Sequence, residues 1–315
     1  MLQLTEIMTV HNKTYTNCML CPHMCGVNRC KSERGRCKAS DKCVIKHVQR
    51  HMWEEPTLTT NDSGENVGSG TVFFGGCPLS CIYCQNWKIS SVCKGKIYTA
   101  SDVADIFIDL QDKGVLNINI VTGTHYTPTI IKAIEIARDA GLKLPIVWNT
   151  SGYENASTID MLIPYVDTWL FDFKYYDDAL ALDLSKAKNY REVALNALTK
   201  IVDSPYDAKN IIVRHLILPG QTDDSKHVLK LLFDNFGNRI TYSIMGQYTP
   251  EICNRARYDT RIAIQLNDYP ELKRSLTEEE YEEVLDYADD IGIEDYFWQH
   301  PGCDSDSFIP EFKSP

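Results

Sequence analysis

The feature that most constrains this chain is an alternation that starts near residue 70 and repeats about six times. GTVFFGG is a short buried strand. SDVADIFIDLQDKG sets Val103, Ile106, Phe107 and Leu110 at helical spacing, with Ser101 as N-cap and Gly114 past the end. NINIV is a strand. TPTIIKAIEIARDAG is a helix with Pro128 in its first turn and Gly141 at its close. LPIVWNTSG, TWLFDFKY, NIIVRHLILPG and RITYSIM follow as strands. The helices STIDMLIPYV, REVALNALTKIVD and SKHVLKLLFDNFG lie between them. Strand–helix repetition of this kind builds a parallel sheet with helical crossovers. The expected fold is therefore α/β, a partial (β/α)6 TIM-like barrel, with functional groups at the C-terminal ends of the strands.

Two flanking regions depart from this rhythm. Residues 1–68 are rich in cysteine and lack clean periodicity, and NDSGENVGSG closes them with a polar, Gly-rich turn. Residues 251–315 add a helix, TEEEYEEVLDYADDIG, with Thr277 and Glu280 as a capping box. The expected organisation is a Cys-rich metal-binding segment (1–68), a barrel (69–250) and a C-terminal helical extension packed on it (251–315). We find no internal repeat and no low-complexity run.

Composition narrows the partners. The chain carries 43 acidic and 32 basic residues, a net −11, which disfavours nucleic acid as a partner. No run of eighteen apolar residues exists, so no membrane span is expected. The N-terminus lacks a basic start followed by an apolar stretch, and a cytoplasmic location is the expectation. Ten of the twelve cysteines fall within the first 93 residues. In a reducing compartment such clustering points to metal rather than disulfides. Cys93, Cys253 and Cys303 read as small, buried or half-buried hydrophobes.

GCPLSCIYCQNW, residues 76–87, follows the first barrel strand and holds Cys77, Cys81 and Cys84. Three thiolates can hold three corners of a 4Fe–4S cube and leave the fourth iron open. An open coordination position lets a small molecule bind and react, whereas a closed structural site wants four ligands. Farther upstream, Cys18, Cys21, Cys25 and Cys37 offer four thiolates in close spacing. They suit a structural zinc ion or a second iron–sulfur cluster. Cys30 and Cys43 lie in the same segment, and the spacing leaves open which of Cys30, Cys37 and Cys43 is the fourth ligand.

The spacing Cys-x3-Cys-x2-Cys, with Tyr83 before the last Cys, resembles the radical S-adenosylmethionine (radical SAM) enzymes. The loop is especially similar to that of the pyruvate formate-lyase activating enzymes. CMLCPHMCGVN, HMWEEP, NINIVTGTHYTP, LPIVWNTSGYE, VDTWLFDFKY and VRHLILPG extend the resemblance over nearly the whole chain, to a branch of activating-enzyme homologues. The resemblance implies an oxidoreductase that cleaves S-adenosylmethionine reductively at a 4Fe–4S cluster. The resulting 5′-deoxyadenosyl radical would take hydrogen from a peptide, a protein or a small molecule, or would activate a glycyl-radical enzyme. A flavodoxin- or ferredoxin-type protein would supply the electron. A non-catalytic iron–sulfur electron-transfer or redox-sensing protein is the alternative.

The resemblance also assigns cofactor contacts. Tyr83 would pack near the adenine. Gly123, Thr124 and His125 stand where the family carries Gly-Gly-Glu, so the carboxylate that meets the methionine amine is vacant, and His125 either fills part of it or is a satisfied rim histidine. Asn149, Thr150 and Ser151 end strand three, near the ribose. Asp172, Lys174 and Arg214 match family positions, and the two cations would meet the methionine carboxylate. Gln247 and Tyr248 depart from the family's Pro-Tyr-His, which weakens transfer of the activating enzymes' substrate to this chain.

Overall fold

The computed structural model describes residues 14–299, which form one open, mostly parallel nine-stranded sheet flanked by helices. The strands are β1 (Cys43–His51), β2 (Ser69–Phe74), β3 (Ile97–Tyr98), β4 (Ile118–Val121), β5 (Ile146–Thr150), β6 (Thr168–Asp172), β7 (Ile211–Leu216), β8 (Thr241–Met245) and β9 (Tyr296–Gln299). Their order is β3-β1-β2-β4-β5-β6-β7-β8-β9. The alternating elements expected from the sequence are present, and the sheet does not close among the described residues. The chain divides into two compact units, residues 14–79 with 88–169 and residues 80–87 with 170–299. Strand β6 begins in the first and ends in the second. Cys303 and the extension beyond residue 299 lie outside the described residues.

In the first unit β2, β4 and β5 pair in parallel, Gly70 opposite Ile118 and Ile118 opposite Ile146. All six residues of β2 and all five of β5 are buried, as strands covered on both faces require. Gly70 has no room for a side chain, since a Cβ there would lie 2.8 Å from the Asn117 carbonyl oxygen. The helix Ala100–Asp112 is capped by Thr99, not Ser101. The Thr99 hydroxyl accepts from the Asp102 N–H (3.2 Å), and the Asp102 carboxylate accepts from the Thr99 N–H (2.7 Å). That reciprocal pair satisfies two groups where Ser101 could satisfy one. The Thr277–Glu280 capping box is formed as expected.

The region 43–51, part of the aperiodic Cys-rich segment in the sequence, is a nine-residue strand. β1 pairs antiparallel with β2, and an irregularity between Ile45 and His47 shifts its register. In the second unit β7, β8 and β9 pair in parallel, and β9 extends the sheet beyond the sixth strand of the alternation. Tyr281 ties the helix Glu278–Asp290 to these strands: its hydroxyl donates to Ile244 O (3.0 Å) and accepts from Gln299 N–H (2.8 Å). No helix among the described residues is long and apolar enough to cross a membrane.

Candidate active site

The segment 80–87 belongs to the second unit and is held there by backbone bonds to the end of the Asp178–Ser185 helix. Ser80 N–H donates to Ser185 O (3.1 Å) and Ile82 N–H to Leu184 O (2.8 Å). The Arg255 guanidinium donates to Cys81 O (2.7 Å). Cys84 N–H closes a turn onto Cys81 O (3.3 Å), which puts two motif cysteines on one short turn. Cys77 precedes this segment, after Gly76 at the exit of β2 in the first unit.

The Ser185 hydroxyl donates to Cys81 Sγ at 3.0 Å. The Tyr175 hydroxyl lies 2.5 Å from Ser185 Oγ, and the Tyr83 hydroxyl 2.6 Å from that of Tyr175. A hydroxyl has one proton to give. Once Ser185 points its proton at sulfur, Tyr175 must donate to Ser185 and Tyr83 to Tyr175. The chain Tyr83→Tyr175→Ser185 is buried and ends on the half-buried Cys81. Burial pushes the Cys81 thiol up, while the Lys174 charge and the Ser185 hydroxyl act in the opposite direction. Tyr83, expected beside an adenine, is thus anchored through its hydroxyl, and its ring lies 6.2 Å from that of Tyr248.

Asp172, Lys174 and Arg214 do come together, Asp172 and Lys174 at the end of β6 and Arg214 within β7. Lys174 Nζ is 2.7 Å and Arg214 Nε 2.8 Å from opposite oxygens of the Asp172 carboxylate. Burial works to raise the Asp172 carboxyl, but the Arg214 and Lys174 charges outweigh it and hold it below the usual range. Burial likewise opposes the Lys174 charge, and Asp172 with Cys81 more than restores it. Tyr190 fixes the strand end: its hydroxyl donates to Asp172 O and accepts from Lys174 N–H, both at 2.9 Å. The site therefore presents two cations that share one carboxylate, within electrostatic reach of a motif thiol. The Gln247 carbonyl accepts from Gln85 Nε2 (3.3 Å), and the Tyr248 hydroxyl donates to Leu272 O (2.8 Å).

The β4 and β5 ends form a second constellation, within the first unit. A Cβ on Gly123 would lie 2.6–2.8 Å from Ile120, Ile130 and Trp148, so the backbone is packed tightly there. His125 is 2% exposed, its Nε2 is 2.8 Å from Gly75 O, and Nδ1 has no hydrogen bond. Burial and the Arg29 charge push its pKa down to about 3, so the ring is neutral with the proton on Nε2. Thr124 and Thr150 both donate to Glu154 Oε1 at 2.6 Å. Burial raises the Glu154 carboxyl to about 7, against these hydroxyls, and Oε2 has no hydrogen bond. The Trp148 indole is close enough to favour the ionised form without bonding to it. The Gly-Thr-His stretch is thus bonded through Thr124 to a buried carboxyl on the loop after β5. Asn149 is buried, with its carbonyl accepting from Thr122 N–H (2.9 Å), and Ser151 sits half-buried at the strand exit.

Glu154 and Ser185 are site residues that the sequence does not mark. The only local signal for Glu154 was a lone carboxylate directly after a strand end, and none existed for Ser185. Of the Cys-rich segment, Cys18, Cys21, Cys37 and Cys43 are buried, Cys25 is half-buried and Cys30 is exposed. Cys93 contacts the Tyr126 hydroxyl at 3.0 Å. Among the described residues, no three potential ligands are already arranged to enclose a metal ion.

The Radical SAM superfamily model matches residues 71–232. An uncharacterized protein of Methanocaldococcus jannaschii is 30% identical over 288 residues, 89% of this chain and 76% of that one. The pyruvate formate-lyase-activating enzyme of Clostridium pasteurianum is 25% identical over 166 residues, 51% of this chain and 66% of that protein. A solved structure of a spore photoproduct lyase mutant, 13% identical, covers 81% of each chain at a TM-score of 0.49, too slight a likeness to carry an argument. The chain belongs to the radical SAM superfamily. Membership implies a 4Fe–4S cluster and S-adenosylmethionine. The donor set suits that cluster: three cysteines at the motif spacing, one of which receives a buried hydroxyl.

Proposed function

We propose that this chain binds the methionine carboxylate of S-adenosylmethionine with Lys174 and Arg214, cleaves the molecule reductively, and uses the product radical on a C–H bond. The observation that carries the reading is the placement of Lys174 Nζ (2.7 Å) and Arg214 Nε (2.8 Å) on opposite oxygens of the one Asp172 carboxylate at the end of β6. When bound, the cluster supplies the electron that breaks the sulfonium C–S bond and one open iron to hold the amino-acid end of the substrate. The protein's own residues do the rest. Arg214 offers a planar fork and Lys174 a point charge, both pre-set by Asp172, so little ordering is left for binding. The buried Tyr83–Tyr175–Ser185 chain holds the hydroxyl that donates to Cys81 in place.

The relation to a pyruvate formate-lyase-activating enzyme favours a peptide or protein substrate, with activation of a glycyl-radical enzyme as its narrowest form. The departures at Gly123-Thr124-His125 and at Gln247-Tyr248 favour a different immediate contact to that substrate. A flavodoxin- or ferredoxin-type donor fits a one-electron requirement. The test is a titration of S-adenosylmethionine into cluster-loaded protein, followed by the cluster's spectrum. Arg214→Ala should weaken binding by about ten- to a hundredfold, the loss of one charge-assisted bond. Arg214→Lys should recover part of it. Unchanged affinity in Arg214→Ala at full cluster content would contradict the assignment.

A further inference from the structure

The chain's net −11 hides a local reversal of sign. Residues 34–50 and 88–98 together hold nine basic residues and one acidic residue, Asp41. They sum to +8, which leaves −19 on the rest of the chain. A surface that served solubility alone would intersperse the two signs, so this segregation has a specific cause. The fold brings the two stretches side by side within the first unit. β1 pairs antiparallel with β3, Cys43 opposite Tyr98 and Val44 opposite Ile97. Lys38 Nζ donates to Ser91 O (2.9 Å) and Lys46 Nζ to Lys94 O (2.6 Å). Both ammonium groups meet neutral carbonyls, which leaves their charge uncancelled. Lys96 Nζ lies 5.0 Å from the Tyr98 ring centroid. Lys96 also acts on Asp102, whose carboxylate is already bound to Thr99. The Lys42–Asp41 pair, 3.7 Å apart on the surface, cancels little.

Lys38, Lys42, Lys94 and Lys96 are exposed and Lys46 is half-exposed. In the same stretch Val92 and Ile97 are 40% and 57% exposed. Uncovered apolar side chains beside a rim of one charge are the composition of a protein docking face. Its place in the fold is informative. The two basic stretches press on Gly76, the residue before the first motif cysteine, Cys77. Gly76 N–H donates to Ile89 O (3.1 Å). A Cβ on Gly76 would lie 2.5 Å from Cys37 O and 3.4 Å from Cys93 Cβ, one atom from each stretch. The face is therefore continuous with the exit of β2, where the cluster loop begins.

We infer that this lysine-rich face receives the acidic face of the protein that delivers the electron. The inference rests on the reductive cleavage proposed above. There the donor protein gives up one electron, and S-adenosylmethionine takes it up as its C–S bond breaks into methionine and the 5′-deoxyadenosyl radical. A chain with −19 outside these stretches repels an acidic partner over the rest of its surface. The one basic face then both attracts that partner and orients it toward the loop that holds Cys77. Nucleic acid fits less well, because a run of phosphates extending past the face would meet the acidic remainder. Val92 and Ile97 supply the short-range apolar contact that charge steering alone lacks.

The experiment is calorimetric titration of the cluster-loaded full chain with two acidic donors, an oxidised flavodoxin and an oxidised 2Fe–2S ferredoxin. One of them should bind at about 0.1 M salt. Its affinity should fall about tenfold or more by about 1 M, as the screening length drops from about 10 Å to about 3 Å. Lys94→Glu combined with Lys96→Glu should weaken binding about tenfold at low salt, and the corresponding pair of Gln substitutions by a smaller factor. Lys209→Glu, in the second unit, should leave binding unchanged. With dithionite in place of a protein donor, all of these variants should form 5′-deoxyadenosine as the unaltered chain does. Binding of neither donor, or unchanged affinity in the double Glu variant, would overturn the inference. So would a single-stranded oligonucleotide that binds the face more tightly than either donor. A chain that binds the donor at this face but cleaves nothing under dithionite would uphold the docking face and sink the reductive-cleavage reading instead.

Discussion

Ser185→Ala removes one methylene-borne hydroxyl and, with it, the direct donor to Cys81 Sγ at 3.0 Å. Cys81 keeps its backbone anchors from Arg255 and the adjoining turn, so the cluster should still assemble. A hydrogen bond to a charged acceptor is worth about 1.5–3 kcal/mol, and only the part that differs between the two oxidation states moves the potential. With about 1 kcal/mol of difference, a one-electron couple shifts by about 40 mV. The direction follows from charge. Reduction places more negative charge on the cluster sulfurs, a donor favours that state, and its loss must lower the midpoint potential. Tyr175→Phe leaves the serine bonded to sulfur and removes only the polarising bond behind it. A cooperative share of about 10–30% gives a shift below about 15 mV. Ser185→Thr keeps a hydroxyl and should restore most of the potential. The assay is a redox titration of the reconstituted cluster followed by electron paramagnetic resonance. A potential that stays put or rises in Ser185→Ala, at unchanged iron content, would refute the reasoning.

Glu154→Gln should change the pH dependence of stability. The folded carboxyl sits at about 7 against an ordinary 4.5, so the protonated form is favoured by folding. Stability is then lost as pH rises from about 4.5 to about 7 and stays low above, by about 3 kcal/mol for about 2.5 pH units. Gln removes that loss, and denaturant melts at pH 5 and pH 8 should differ less in the variant than in the unaltered protein; equal pH slopes would sink the assignment. Gly70→Ala should cost about 1–3 kcal/mol, because its Cβ meets the Asn117 carbonyl inside a parallel pair. A thermal melt that does not move would show that β2 and the 115–117 turn can separate freely.

Much of the fold was legible because parallel strands buried on both faces read as apolar runs, and VFF, INIV, IVW and WLF do so. β1 was missed because CVIKHVQRH is half exposed and its register breaks at Ile45–His47, which erases the alternation. β9 is short and follows the acidic helix, with nothing local to mark it. The N-cap error had a readable cure, since Thr99-x-x-Asp102 is itself a capping-box pattern. In the candidate site, Cys77, Cys81 and Cys84 are set by spacing within one loop, so sequence displays them. Glu154 and Ser185 are different. Each matters through a partner far away in the chain, Thr124 thirty residues upstream and Cys81 more than a hundred. Such pairings arise where a loop folds back on a strand exit or a helix end, and a single sequence does not encode that distance. Tyr83 illustrates the same limit, because its position in the motif was plain but its hydroxyl's commitment to Tyr175 was not.

The central claim is that this chain breaks S-adenosylmethionine at a cluster held by Cys77, Cys81 and Cys84. The direct measurement is the yield of 5′-deoxyadenosine when anaerobically reconstituted, chemically reduced protein is incubated with S-adenosylmethionine. We predict formation of 5′-deoxyadenosine by the unaltered chain and none by Cys81→Ala, which retains too few thiolates to hold a cubane. A cluster-loaded, reduced protein that leaves S-adenosylmethionine intact, or equal cleavage by Cys81→Ala, would contradict the account.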